Sequence, residues 1–190
     1  MFIKGALVMR AVEVSKTIKI PEGVEASVSG RVVTVKGPKG TLTRSFSNAP
    51  VTIKLQGDEI SIETSWPRKK EASLVGTVYS HIKNMMTGVL KGFTYKVKVV
   101  FAHFPVTVKV KGDTILIENF TGERSARVAK IQGDTKVTVK GEDVIVQGLS
   151  LEDVAQTAAN MEQATKVRRK DPRIFLDGLF TFEHLEGMEG

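Results

Sequence analysis

The chain has 190 residues, a formal net charge of +7 and no cysteine. The absence of cysteine excludes disulfides, thiolate metal sites and a cysteine nucleophile. The positive charge suits an anionic partner, either nucleic acid or an anionic membrane surface, although many small soluble proteins are basic without one. The sequence contains no apolar run near the roughly 20 residues that span a bilayer, and its first residues do not form a convincing signal peptide.

An internal repeat sets the expected architecture. Residues 30–40 (GRVVTVKGPKG) align with residues 112–122 (GDTILIENFTG), and residues 51–62 (VTIKLQGDEISI) align with residues 135–146 (TKVTVKGEDVIV). Each pair of blocks is followed by a pattern with helical spacing. The repeat therefore predicts an α+β protein made of two tandem copies of a small antiparallel (mixed-edge) sheet with one helix packed on one face.

The first copy is predicted to span residues 12–92, after an N-terminal extension at residues 1–11. Short segments with alternating apolar residues predict strands up to residue 63. A helix should follow Pro67, because apolar residues from Leu74 to Leu90 recur on one stripe, and Gly92 should end it.

The second copy is predicted to span residues 93–180, followed by an acidic tail at residues 181–190. Its strands lead to a helix whose N-cap should be Ser150, with Asp153 at the third helical position. After this helix the repeat breaks. Residues 166–173 (KVRRKDPR) are densely basic, and nothing in the first copy corresponds to them.

The sequence contains few groups that could support catalysis. The three histidines, His81, His103 and His184, lack metal-ligand spacing, and the acids fall mostly in predicted hairpin turns. No nucleophile elbow or nucleotide-binding loop is present. We therefore predict no enzyme activity, no metal and no cofactor.

The basic segment is the strongest candidate site. It could be a solvated charge run, but Pro172 should stiffen it, and residues 174–176 (IFL) should dock on the domain and fix its far end. Lys36 and Lys39, in the turn of the first copy, could also touch a nucleic-acid backbone. The first half of the chain carries the greater net charge, which leaves it a possible RNA or protein contact. For Phe101 and Phe104, core packing is favoured over base stacking.

Several motifs together resemble the large-subunit ribosomal protein L-six family, in its archaeal or eukaryotic form. They occur in the family's order at residues 35–40 (VKGPKG), 85–93 (MMTGVLKGF), 102–105 (AHFP), 119–123 (NFTGE) and 166–178. The likeness covers residues 12–180.

The resemblance implies a structural constituent of the large ribosomal subunit in the cytoplasm, which supports translation. It implies binding to large-subunit ribosomal RNA near the sarcin–ricin region and the stalk base, beside neighbouring ribosomal proteins. Carried over by position, the RNA-binding residues would be Lys166, Arg168, Arg169, Lys170 and Arg173, together with Asn119, Thr121 and Glu123.

An alternative function remains open at this point. Exposed sheet edges could make the chain a protein–protein adaptor with no direct RNA role, and the positive charge would then serve solubility. Neither reading involves a membrane or a small-molecule substrate.

Overall fold

The computed structural model describes residues 13–102, 104–168, 171 and 173–188. The chain divides into two compact units, Met1–Met86 and Thr87–Gly190. This division falls inside the first helix, earlier in the chain than the boundary after residue 92 that the repeat suggested. The predicted N-terminal extension lies outside the described residues.

The first unit contains two three-stranded antiparallel sheets. Their strand orders are β1-β6-β5 and β2-β3-β4. The strands are β1 (Glu13–Lys19), β2 (Glu25–Ser29), β3 (Val32–Gly37), β4 (Gly40–Ser45), β5 (Thr52–Gln56) and β6 (Glu59–Ser65). The predicted alternation is present in β3, where Val33 and Val35 are fully buried while Lys36 is exposed.

Helix α1 (Lys69–Leu90) follows β6. Its apolar stripe is buried as the spacing predicted, since Val75, Val78 and Ile82 are at most 1 % exposed. The helix also contacts the strands through side chains: Lys16 of β1 lies 5.1 Å from the centre of the Tyr79 ring. Gly92 ends the helix as predicted, with φ of 76° and its N–H donating to Gly88 O at 2.9 Å.

The second unit repeats this arrangement. The order β11-β12-β7 matches β5-β6-β1, and a three-stranded sheet of order β10-β9-β8 matches β4-β3-β2. The elements are β7 (Phe93–Val100), β8 (Thr107–Lys111), β9 (Thr114–Glu118), a short 3-10 turn (Phe120–Gly122), β10 (Arg127–Lys130), β11 (Lys136–Lys140), β12 (Asp143–Gly148), α2 (Leu151–Ala164) and β13 (Gly178–Glu186).

Corresponding turns have the same backbone conformation in both units. Gly57 joins β5 to β6 with φ of 60°, and Gly141 joins β11 to β12 with φ of 63°. A positive φ is adopted readily only by glycine, so the matched glycines set the same hairpin twice. Every strand pairing in the described chain is antiparallel. These features confirm the predicted α+β fold class.

The core of the second unit lies between α2 and both sheets. Met161 and Ala158 of α2, Ile117 of β9 and Val146 of β12 belong to one buried cluster. Helix α2 begins as predicted, because the Ser150 hydroxyl accepts a hydrogen bond from the N–H of Asp153 at 3.3 Å.

The predicted acidic tail is largely part of the sheet. Strand β13 continues to Glu186 and pairs with β7, which makes this sheet four-stranded. Glu183 forms an ion pair with Lys96 of β7 at 3.0 Å. Beyond the strand, the N–H of Met188 donates to Lys91 O at 3.0 Å. Among the described residues of the first unit, no strand corresponds to β13, which therefore lies where the sequence repeat breaks.

Candidate nucleic-acid interface

The end of α2 is fixed firmly where the basic segment begins. The side chain of Thr165 is buried; its hydroxyl donates to Met161 O at 3.1 Å and accepts from the N–H of Leu179 at 3.0 Å. The next residues alternate. Lys166 and Arg168 are exposed, while Val167 between them packs against the core. The backbone that carries these two cations is therefore held by packing and by β13.

Arg127 joins this segment to the turn at residues 119–123. Its guanidinium donates two hydrogen bonds to the Glu123 carboxylate, at 2.9 and 2.6 Å. It also donates to the carbonyl oxygens of Ala164 and Lys166, at 2.9 and 3.3 Å. The hydrogen bonds to Glu123 raise the pKa of Arg127 and its partial burial lowers that pKa. The hydrogen bonds have the larger effect, so the pKa of Arg127 lies above its ordinary value. Arg127 thus brings together two segments that the sequence singled out separately.

The turn itself has an unusual backbone. Asn119 and Thr121 have φ of 57° and 50°, a region that non-glycine residues seldom occupy. Two contacts hold it: the buried Phe120 ring lies 4.3 Å below the Arg127 guanidinium carbon, and the Asn119 side chain donates to Pro105 O at 3.0 Å. These contacts hold the turn in place, and the amide N–H of Asn119 already donates to the protein's own backbone.

Phe104 lies against this turn. A side chain at Gly122 would place its first carbon 3.3 Å from the Phe104 ring, which shows how closely that ring approaches the backbone. The ring remains 46 % exposed, and Phe101 is 38 % exposed. Core packing was the favoured reading of both residues, and it is wrong. His103, between them, lies outside the described residues.

The predicted site residues at the far end of the basic segment are described only in part. Arg169, Lys170 and Pro172 lie outside the described residues. Arg173 is exposed; its guanidinium donates to both oxygens of the Asp171 carboxylate, at 3.1, 3.3 and 2.8 Å, and its backbone N–H donates to the same carboxylate at 2.9 Å. The side-chain hydrogen bonds lower the pKa of Asp171 and raise that of Arg173. The Arg173 guanidinium therefore already has an anionic partner in its own chain.

Residues 174–176 do not dock as predicted. Ile174 is 67 % and Leu176 is 60 % exposed, and only Phe175 between them is partly buried. The anchor on this side is instead Asp177, which is buried and accepts from the N–H of Ala102 at 2.6 Å. Between this segment and α2 lies a groove of about 470 Å³, lined by Val167, Phe175 and Phe180 among others.

Lys36 and Lys39 belong to the first unit. Both are exposed on the β3–β4 hairpin, and the Lys36 ammonium lies 3.9 Å from the Glu25 carboxylate. His81 and His184 make ring contacts, with Phe46 and Tyr95 respectively. In the part of the chain that the structure describes, no group of three metal-ligating side chains occurs, and no helix is long and apolar enough to cross a membrane.

Sequence reasoning missed Arg127. Its partners Ala164 and Lys166 follow 37 and 39 positions later in the chain. The nearby acid Glu123 was the only local signal, and it carries no information about the contact with α2.

The family model for ribosomal protein L6 matches residues 20–92 and 104–178, one match for each copy of the repeat. The chain is 49 % identical over 168 residues to the large ribosomal subunit protein uL6 of Methanosarcina mazei, covering 88 % of this chain and 96 % of that protein. It is 47 % identical over 182 residues to uL6 of Desulfurococcus amylolyticus, covering 94 % and 99 %. With uL6 of Methanobrevibacter smithii it shares 49 % identity over 170 residues, covering 90 % and 96 %.

The chain therefore belongs to the ribosomal protein L6 family. This confirms the resemblance on which the sequence analysis relied, and the relatives named here are archaeal. It also confirms the prediction that the chain is not an enzyme, because the family consists of structural proteins of the ribosome.

Proposed function

We propose that this chain is a structural constituent of the cytoplasmic large ribosomal subunit. It binds large-subunit ribosomal RNA near the sarcin–ricin region and the stalk base, and thereby supports translation. Membership of the ribosomal protein L6 family supports the assignment of this chain to the large ribosomal subunit. The observation that supports the RNA-binding end of the second unit is the set of hydrogen bonds by which Arg127 holds the turn at residues 119–123 against the start of the basic segment.

Lys166 and Arg168 are the strongest phosphate contacts of the described residues. Their side chains are exposed, whereas Val167 and Thr165 fix the backbone beneath them. A cation on a fixed backbone loses less conformational entropy on binding than one on a free tail. Each phosphate neutralised also releases counterions, which is the main source of affinity for nucleic acid. Arg169 and Lys170 are proposed to extend the same contact.

Arg173 contributes in a different way. Its guanidinium is bound to Asp171, so a phosphate must compete with that carboxylate or share the donors that remain. We expect Arg173 to add less affinity than Lys166 or Arg168. Lys36 and Lys39 would make a further, weaker backbone contact from the first unit.

The turn at residues 119–123 supplies shape. Structured RNA is recognised mainly through its shape, its phosphates and its 2′-hydroxyls. Thr121 is partly exposed and could bond a ribose, while Phe104 beside it offers an exposed ring face. Glu123 carries negative charge and is bound by Arg127, so its role is to position Arg127 and not to touch phosphate.

Neighbouring ribosomal proteins are proposed as further partners. Four large apolar side chains of one short segment are at least half exposed: Ile174, Leu176, Phe180 and Phe182. Such a row favours contact with protein, and it is the observation that keeps an adaptor role as the second candidate. Sedimentation of the native protein with large subunits in high salt separates the two readings. An adaptor without an RNA role would stay at the top of the gradient.

The site assignment is tested by a double substitution, Lys166→Ala with Arg168→Ala. Its matched control is Lys111→Ala with Lys136→Ala, which removes two exposed lysines outside the basic segment, at the end of β8 and the start of β11. Binding of each full-length protein to a large-subunit ribosomal RNA transcript is measured across a range of salt concentrations.

Loss of two phosphate contacts should weaken binding and reduce the slope of log affinity against log salt by about 1.4 to 1.8. The control should leave the slope nearly unchanged. Equal effects of both pairs would show that the charge acts without a defined site, and the assignment to residues 166 and 168 would be wrong.

A further inference from the structure

An exposed tryptophan lies in the first unit, in the connection between β6 and α1. Trp66 is the single tryptophan of the chain, and it is 66 % exposed. Within the described residues its ring makes no hydrogen bond and no ring-to-ring contact. Pro67, directly after it, is buried. The tryptophan is therefore presented to solvent from a backbone that is anchored one residue away.

Three cations follow the tryptophan at once. Arg68, Lys69 and Lys70 are all exposed, and none forms an ion pair with an acid of the described chain. The nearby carboxylate of Glu71 points back and accepts the N–H of Arg68 at 2.7 Å. The Glu71 carboxylate therefore bonds the backbone at the start of α1. The side chains of the three cations are exposed to solvent.

Other lysines of the same unit behave differently. Lys19, Lys36 and Lys54 each lie within 4.0 Å of a glutamate. The bond from Lys54 to Glu63 raises the pKa of the lysine and contributes to a lowered pKa of the glutamate. Lys39 and Lys83 are also exposed and without an ion pair in the described chain, but only Arg68, Lys69 and Lys70 are consecutive in this part of the chain, and they adjoin the exposed aromatic ring.

We infer that Trp66 with Arg68, Lys69 and Lys70 is a second RNA-contact site, which stacks an unpaired base on the indole and holds the adjacent phosphates. The inference rests on the proposed function but concerns the other unit. Aromatic rings beside cations are the common means of holding unpaired nucleotides, because every base offers a face for stacking. Lysine is depleted at the centre of protein–protein contacts, so the unpaired Lys69 and Lys70 beside the ring favour RNA.

The tryptophan reports on the site directly. Because it is the single tryptophan, the intrinsic fluorescence of the full-length chain comes mainly from this position. Titration with a large-subunit ribosomal RNA transcript should quench that fluorescence, since a stacked base quenches indole emission. Saturation should occur at the same RNA concentration as binding measured by filter retention.

Substitutions separate stacking from charge. Trp66→Ala should weaken binding by roughly 5- to 150-fold, and Trp66→Phe, which keeps a ring, should restore most of the loss. Lys69→Ala with Lys70→Ala should reduce the salt slope by about 1.4 to 1.8. The matched control, Lys19→Ala with Lys54→Ala, removes two lysines that are already paired and should leave the slope nearly unchanged.

The outcomes are distinguishable. If the chain binds RNA but its fluorescence, Trp66→Ala and the Lys69/Lys70 pair all match the unaltered protein, this inference is wrong and the proposed function stands. Quenching seen only in assembled subunits, and never with RNA alone, would mean that a protein covers Trp66, which also overturns it. If the unaltered chain does not bind the RNA at all, the proposed function and this inference fail together.

Discussion

Arg127 shows how a single side chain can organise a surface. A guanidinium presents five N–H donors in a fixed plane, and here four hydrogen bonds from it reach Glu123, Ala164 and Lys166. The two carbonyl groups belong to Ala164, the last residue of α2, and to Lys166, two residues beyond it; backbone acceptors at a helix end lack helical partners. Arg127 thus donates a hydrogen bond to a carbonyl group at the end of α2 and also holds Lys166, the first residue of the basic segment.

Replacing Arg127 tests this role. Arg127→Ala should lower the free energy of unfolding by about 1–3 kcal/mol, because it leaves a carboxylate and two carbonyl groups without their donor. Arg127→Lys should lose less, since an ammonium keeps the charge but cannot reach both partners with the same geometry. Urea denaturation measures both effects.

Arg173→Ala is the matched control. Its guanidinium also bonds a carboxylate of its own chain, but it is exposed, so its removal should change the unfolding free energy little. If Arg127→Ala were as stable as Arg173→Ala, the hydrogen bonds of Arg127 would not hold the two segments together.

Residues 166 and 168 could be predicted as a candidate site because charge density is visible in the sequence, and their role in binding stays a prediction. Arg127 could not, since no local pattern reports a contact with residues 37 and 39 positions away. The exposed ring of Phe104 was misread for a related reason. The ring packs beside Gly122 of a separate turn, and the residues next to Phe104 in the chain do not report that contact.

At the scale of elements, periodicity predicted both helices and most hairpins, but it failed at β13. Exposed and partly buried residues alternate along that strand, but Phe180 and Phe182 are at exposed positions while Thr181 and Glu183 are partly buried, so the apolar residues do not mark its buried face. Its acids also suggested a solvated tail, yet Glu183 is paired with Lys96 across the sheet. The strand could not be predicted because its partner, β7, is distant in sequence, and local composition does not indicate that pairing.

The two interior glycines of α1 give an opposed pair of predictions. A side chain at Gly88 would overlap the carbonyl oxygen of Leu149, so Gly88→Ala should destabilise the protein by about 1–3 kcal/mol. A side chain at Gly76 would lie 3.7 Å from the Lys16 ammonium, with no backbone atom nearby. Gly76→Ala should therefore stabilise the helix, by up to about 1 kcal/mol.

Thermal unfolding of both variants checks this pair. The expected result is a lower melting temperature for Gly88→Ala and an equal or higher one for Gly76→Ala. Equal melting temperatures would mean that the backbone around Leu149 moves freely away from α1 and that the close approach has no structural role.

In the whole molecule, the duplicated sequence accounts for the two similar units, and the difference between the units is the basis for the proposed RNA-binding site. Both units supply two small sheets and a helix, and the matched glycines repeat the same turns. Only the second unit adds the basic segment and β13, and these two are joined through Thr165. Arg68, Lys69 and Lys70 beside Trp66 supply part of the greater net charge of the first half, and we propose that they bind RNA.

The proposed RNA contact of the second unit can be tested by ultraviolet crosslinking in native large subunits, followed by identification of the crosslinked peptides. We expect RNA-linked peptides from the turn at residues 119–123 and from the segment that contains Lys166 and Arg168. It would be contradicted if the protein crosslinked to RNA only through other peptides of the second unit, or if it remained free of RNA in intact subunits.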